Sequence, residues 1–364
     1  MPDVLVIGGG VIGLSVAYEL AGHGLSVTVV DQSGFGREAS WAGAGMLPPG
    51  NSAAAATTEA RLRSASYDLW PGWQAQLTEQ TGIDVGYRNC GALDLADLSS
   101  DQEYAAVLQQ YRTERLRFEP LSASDLSSRF PYLHPEQRSG CWVPDYAQVR
   151  NPWLVRALIA GCQQRGVMLH ADLPVMSFEV ISDRVHSVTA RTQLRLKADR
   201  YIITSGAWSQ TLLEPLGIRL AIEPVRGQIV LLQADVPTFR HIIQVGSRYL
   251  VPRGDGHLLI GSTEEHAGFE KRNTEEGVQG LLDFAYHLVP SLRQARIEQT
   301  WAGLRPWKPG GLPFIGPVAD IQNLWLAAGH FRAGLQLSPI TAVLMRQAIL
   351  GQPTTLDLAE TAQQ

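Results

Sequence analysis

Cysteine is scarce in this chain of 364 residues: there are three, Cys90, Cys141 and Cys162. They are odd in number, far apart and form no C-x-x-C pair. That pattern argues against a disulfide framework and a thiolate zinc site, so no metal is expected and the chain suits a reducing compartment such as the cytoplasm. A basic excess is missing too. Lys and Arg total 30 against 35 Asp and Glu, a formal net charge of −5. Nothing electrostatic then favours nucleic acid or an anionic membrane as partner. Long apolar runs are also absent. The first, Val4 to Ile7, soon meets glycine, so neither a signal peptide nor a transmembrane segment is expected. What is present is ordinary for a globular protein, with 45% hydrophobic and 18% charged residues. The length suits two domains rather than one core.

Val4 to Ile7 reads as a short buried strand. From Gly13 the pattern turns helical, with Leu14, Ala17, Tyr18 and Ala21 on one face and Gly22 and Gly24 as the stop. Ser26 to Val30 is a second strand ending at Asp31, which makes a βαβ unit. The small-residue stretch Asn51 to Thr58 is either a loop or the start of a helix over Leu62 to Leu77. Pro152 to Gln164 reads as a helix, Val167 to His170 and Tyr201 to Thr204 as strands. Gly227 to Leu232, Arg248 to Val251 and His257 to Ile260 alternate and are broken by Pro and Gly, which predicts an antiparallel sheet. The expected fold is therefore α/β. A Rossmann-like dinucleotide-binding domain is interleaved with a second domain built on an antiparallel sheet.

Gly8, Gly10 and Gly13 form G-x-G-x-x-G between a strand and a helix, and Asp31 lies about twenty residues beyond, the spacing of a ribose-binding acid. Gly8 allows the tight turn, Gly10 lets backbone approach a pyrophosphate, and Gly13 lets helix and strand pack closely. The helix N-terminus offers free N–H groups to phosphate. This fingerprint does not choose between NAD and FAD. Ala42-Gly43-Ala44-Gly45-Met46 is a second run of small residues. It is either a plain flexible loop or a place where backbone approaches a flat ligand.

The chain resembles the D-amino-acid oxidase superfamily and, within it, the bacterial glycine oxidases of the thiamine pathway. The resemblance covers nearly the whole chain. It rests on GGGVIG at Gly8 to Gly13, SWAGAGML at Ser40 to Leu47, SGAW at Ser205 to Trp208, PVRGQ at Pro224 to Gln228 and YLVPR at Tyr249 to Arg253. It continues in WAGLRP at Trp301 to Pro306, LPFIG at Leu312 to Gly316 and AAGHFRAGL at Ala327 to Leu335. It implies noncovalent FAD, a homo-oligomer such as a tetramer, and an FAD domain of residues 1–83, 145–218 and 306–364. The substrate domain is then 84–144 and 219–305. Carried over, the cofactor contacts, besides the three glycines, fall at Val11, Ile12, Asp31, Gln32, Ala39, Ser40, Ala44, Gly45, Met46 and Val175, and along His330, Phe331, Arg332, Ala333, Gly334, Leu335 and Gln336. Gly329 and Gly334 suit a segment passing close to the flavin ring.

The resemblance implies oxidative deamination of glycine or a similar small amino acid (sarcosine, a small D-amino acid), with oxygen giving hydrogen peroxide. Substrate contacts carry over to Tyr249, Arg305 and Arg332. The chemistry agrees, since an arginine fork orients a carboxylate through two charge-assisted hydrogen bonds. The flavin takes the hydride, so no side chain is named as catalytic acid or base. His330 is read as a packed structural donor lining the flavin. By residue type alone, Arg305 could cap carbonyls at the surface and Tyr249 could be sheet packing. Two departures from the family stand out. Trp307-Lys308 follows Arg305-Pro306 where small residues are frequent, and a bulky Trp near the site mouth would either narrow access or cover the pocket. Glu264 follows Gly261-Ser262-Thr263 where some glycine oxidases place an apolar pocket residue.

Four other readings compete. A sarcosine oxidase with a C-terminal flavin–cysteine link is excluded, because no cysteine follows Cys162. A dehydrogenase passing electrons to another acceptor stays open. A transfer-RNA-modifying flavoprotein would want a basic surface, and a non-catalytic flavin module would leave the arginines without purpose.

Overall fold

The computed structural model describes residues 1–97, 101–234 and 239–363. Its first layer is a six-stranded sheet ordered 314–317, 324–328, 200–203, 4–7, 27–30 and 168–170. All neighbours run parallel except Phe314–Pro317 against Leu324–Ala328. Val4–Ile7 lies at the centre, in register with Val27–Val30 on one side and Arg200–Ile203 on the other. Its four residues are all buried, because helices or loops cover both faces of a parallel sheet. The strand alternation divides them: Val4 and Val6 enter one core cluster, Leu5 and Ile7 the cluster on the opposite face.

The helix Val11–Gly22 follows at once. It is buried more completely than the one-face reading allowed: Val11, Ile12, Val16 and Leu20 are inside along with Leu14, Ala17 and Tyr18. The reason is tertiary. The helices Asn151–Gln164 and Ser338–Ile349 both pack on it, so most of its circumference meets protein.

The helix expected over Leu62 to Leu77 runs from Thr58 to Thr81. Thr57 starts it, its hydroxyl accepting from the Ala60 N–H at 3.1 Å, and Gly82 ends it in the left-handed region at φ 70°. The small-residue stretch before it is turn and loop up to that cap.

The second layer is an eight-stranded sheet ordered 296–307, 223–233, 257–261, 248–252, 242–245, 92–95, 139–143 and 119–122. Antiparallel pairing holds through most of it, as expected. One pair departs from it: Ile242–Val245 runs parallel to Ala92–Leu95. Parallel neighbours need a long crossover, and here the chain between them passes through the first sheet before returning. The widest pairing joins Glu223–Gln233 to Arg296–Trp307, from Glu223 opposite Trp307 to Gln233 opposite Arg296. Both strands reach the cleft between the two sheets.

Candidate active site

The cleft has a volume of about 390 Å³. One end is the fingerprint turn. Gly8 has φ +114°, and a Cβ there would lie 2.6 Å from the carbonyl of Thr204. A Cβ on Gly13 would run into the Gly8 carbonyl oxygen. Gly13 itself does not line the cleft. It lets the helix start this close to the strand. Gly10, Val11 and Ile12 do line it. The Val11 N–H is already taken by the Ser40 hydroxyl at 2.8 Å, so Ser40 caps the helix as well as facing the cleft.

Asp31 lies at the strand end beside Gln32. Its two oxygens accept from the Gly9 N–H at 2.6 Å and the Ser33 N–H at 2.9 Å. Burial pushes its carboxyl pKa up, and those two N–H groups oppose the shift. The Ser33 hydroxyl, 3.3 Å from Oδ1, takes a third of the roughly four acceptor positions of a carboxylate, which leaves room for a ribose hydroxyl.

Ala39, Ser40, Ala44, Gly45 and Met46 form the next stretch of wall, and Val175 lines the cleft as well. Arg253, which the sequence reading did not single out, supports this stretch from behind. It is buried and donates to the Ala44 carbonyl at 2.7 Å, Gln148 Oε1 at 2.8 Å and the Val149 carbonyl at 3.2 Å. Asn151 was missed too. It lines the cleft, donates to the Ser40 carbonyl at 2.9 Å, and keeps a buried Oδ1 with no partner among the described residues. A lone Arg or Asn far along the chain carries no local signal of such contacts.

Tyr249, Ser262, Arg305 and the segment 330–336 also line the cleft. His330 is buried, its Nε2 lies 3.0 Å from the Thr341 hydroxyl, and burial pushes its pKa down to about 3. It is a neutral packed histidine, as the sequence suggested. Phe331, at φ +48°, turns the chain so that Arg332 follows in a single 3₁₀ turn through Ala333. Gly334, Leu335 and Gln336 complete the wall. Gly329 has φ +78° but does not line the cleft.

Arg332 and Arg305 differ in how their donors are used. Arg305 donates from Nη1 to the Thr263 carbonyl at 3.1 Å and from Nη2 to the Ser262 hydroxyl at 2.6 Å. Its guanidinium lies across Gly227, where any side chain would collide with it. The Arg332 side chain is 48% exposed, and its ion-pair partner is Glu264. Tyr249 lies on Gly261, which has no Cβ to obstruct its ring.

The structure places both departures noted in the sequence. Trp307 does not line the cleft. It packs edge-on against His266, ring centres 5.6 Å apart, because it ends the outermost strand of its sheet and turns outward. It therefore does not narrow the mouth. Glu264, where some relatives carry an apolar residue, reaches Arg332.

A family described as FAD dependent oxidoreductase matches residues 3–348. This chain belongs to that family. The glycine oxidase of Pseudomonas aeruginosa is 37% identical over 360 residues, covering 98% of this chain and 97% of that one. The bifunctional protein ThiO/ThiG of Trichormus variabilis is 35% identical over 358 residues, and this chain spans 53% of it. The crystal structure of glycine oxidase from Geobacillus kaustophilus superposes with a TM-score of 0.94 at 30% identity, covering 100% of this chain and 98% of that one. The cleft fits the family's cofactor. It offers an acid at the strand end, a glycine turn that a Cβ would block, a wall of small residues and a buried unpartnered acceptor on Asn151.

Proposed function

We propose that this chain carries out the FAD-dependent oxidative deamination of glycine or a closely similar small amino acid, with a role in thiamine biosynthesis. The observation that carries the reading is that Arg332 and Tyr249 line the same cleft as Asp31 and the fingerprint turn. Near full-length similarity to glycine oxidases supports it. When bound, FAD supplies the two-electron acceptor for the substrate Cα–H. It is held noncovalently by the turn from Gly8 to Ile12, by Asp31 and Gln32, by Ala39 to Met46 with Val175, and by 330–336. Arg332 takes the substrate carboxylate and fixes which face of Cα is presented. Tyr249 shares that load. Arg305 adds positive charge from the wall with its remaining N–H groups. Val11, Ile12, Ile229, Leu304 and Leu335 give the cleft apolar lining that limits water. No side chain is assigned to remove the amine proton: His330 is neutral and engaged with Thr341.

The same reading divides the chain into a cofactor-binding unit, 1–83, 145–218 and 306–364, and a substrate unit, 84–144 and 219–305. It also takes the protein to be a cytoplasmic homo-oligomer, with no nucleic-acid partner. No helix of the described residues is long and apolar enough to cross a membrane.

The test is an anaerobic titration of the yellow holoenzyme with glycine, sarcosine, both alanine enantiomers and D-phenylalanine, followed by turnover in air with peroxide detection. Glycine and sarcosine should reduce the flavin at the lowest concentrations and yield peroxide. D-phenylalanine turned over as well as glycine would overturn the small-substrate reading, and reduction without peroxide would make the protein a dehydrogenase.

A further inference from the structure

Glu264 is held in place by a rigid frame. Its neighbours on both sides are fastened to the eight-stranded sheet. The Ser262 hydroxyl and the Thr263 carbonyl accept from Arg305. The Thr263 hydroxyl accepts from the Gln228 N–H at 2.9 Å and lies 2.5 Å from Glu265 Oε1. Glu265 exchanges backbone hydrogen bonds with Arg226 at 2.9 and 3.0 Å, and its carboxylate meets Arg226 and Gln228. With both neighbours bound to the sheet, Glu264 is left to point the other way. There its carboxylate pairs with Arg332 Nη2, on the segment 330–336 that lines the cleft. Both side chains stay partly open to solvent, 35% and 48% exposed, so the pair can part without leaving a buried charge.

We infer that Glu264 is a specificity-determining residue, a carboxylate of the chain itself that competes with the substrate carboxylate for Arg332 and repels a second carboxylate on the substrate. The inference rests on Arg332 being the carboxylate clamp. An arginine fork grips best when two parallel N–H groups are free. With Nη2 held by Glu264, an incoming carboxylate must displace it or accept the remaining donors. Once the substrate is seated, Glu264 remains beside the Arg332 guanidinium as a negative charge. A monocarboxylate amine places its carboxylate on the guanidinium and presents nothing else for Glu264 to repel. A dicarboxylate amine brings a second charge near the Glu264 carboxylate when its first is on Arg332, and like charges at close range cost free energy even where water screens them. Arg305 serves this arrangement as a positioning residue, since its two donors hold the loop that presents Glu264.

The experiment uses the holoenzyme with two neutral substitutions, Glu264→Gln and Glu264→Met. The half-exposed position makes either compatible with folding, and Met matches the length without polarity. The first readout is acetate binding, followed by the change in flavin absorbance. The second is the ratio of kcat/KM for iminodiacetate to that for sarcosine, two secondary amines that differ in one carboxylate. Both variants should bind acetate about five-fold more tightly and raise the ratio about five-fold, the scale of a part-exposed charge pair. In an Arg332→Leu background the acetate gain should vanish, because the competition has no object. Unchanged acetate affinity and ratio in both variants would overturn the inference, and so would weaker acetate binding, which would make Glu264 a support for the ligand. A wild-type enzyme that neither turns over glycine nor binds acetate would instead overturn the proposed function.

Discussion

Arg332 is the residue on which the carboxylate-binding argument turns, and its neighbours make it testable. Arg332→Leu removes a charge-assisted pair worth on the order of 1.5–3 kcal/mol, so kcat/KM for glycine should fall roughly ten- to a hundred-fold. Lys should restore only part, because an ammonium keeps the charge without the planar fork. FAD should remain bound and the fold intact, since the Glu264 carboxylate left behind is 35% exposed and can hydrate. A carboxylate-free amine should be turned over at nearly the wild-type rate. Steady-state kinetics together with the flavin spectrum check this; loss of FAD in the Leu variant would make Arg332 structural. At this scale the sequence was most informative where a residue type has one use. The fingerprint glycines and Asp31 are of that kind. It was silent on which groups Arg305 meets, the Ser262 hydroxyl and the Thr263 carbonyl, and on the Glu264–Arg332 pair, because each partner lies in a distant segment and nothing local announces the meeting.

The helix Thr58–Thr81 shows what an element contributes without entering the cleft. Ser66 Oγ and Trp70 Nε1 both donate to the Gln336 carbonyl, at 2.6 and 2.8 Å, and Gln336 in turn donates to the Pro48 carbonyl at 3.2 Å. The helix therefore fastens together two walls of the cofactor cleft, 46–48 and 330–336. Ser66→Ala alone should cost about 1 kcal/mol, because Trp70 still satisfies the carbonyl. Combined with Trp70→Phe, it leaves a buried acceptor unpaired. The double variant should then lose about 1–3 kcal/mol more than the sum of the singles. FAD should dissociate more readily from it. Urea unfolding and flavin release check both effects, and strict additivity with unchanged FAD affinity would show that the helix does not hold the cleft. The element was legible from its apolar residues between Leu62 and Leu77. Its contact with Gln336 was not, because a side-chain donor does not reveal which distant carbonyl it serves.

For the whole molecule, pH reports how unlike groups are buried in the two layers. Burial lowers the pKa of His241 to about 4 and of His330 to about 3. Both are neutral in the fold, whereas in the unfolded chain they protonate near pH 6.5. Their stabilising effect is therefore complete above about pH 6.5 and is lost as pH falls towards 4 and 3. Asp94 acts with the opposite sign. Burial raises its carboxyl to about 6 against the hydrogen bond from Tyr111, so it favours the folded state below the unfolded carboxylate value and loses that effect as pH rises through 6. Between pH 6 and 4, two histidines act against one aspartate. Stability should fall by about 1 kcal/mol per pH unit on acidification. Asp94→Asn removes the offset, so it should raise stability at pH 7–8 and steepen the fall below pH 6. Urea midpoints of the holoenzyme from pH 4 to 8 measure this; a midpoint flat across that range would refute it.

What the sequence determined by itself was whatever depends on neighbours along the chain. This includes the buried parallel strand Val4–Ile7, the glycine turn that follows it, the acid at Asp31, and three strands of the second sheet, Glu223–Gln233, Arg248–Pro252 and His257–Gly261. Steric limits on glycine positions and the period of apolar residues act over a few residues, so they can be read one segment at a time. The tertiary structure alone decided the all-round burial of the helix Val11–Gly22 and the parallel pairing of Ile242–Val245 with Ala92–Leu95. It also decided the outward turn of Trp307 and the pairing of Glu264 with Arg332. Each of these depends on which distant segments the two sheets bring together, and the resulting burial and charge contacts exist only once that packing has formed.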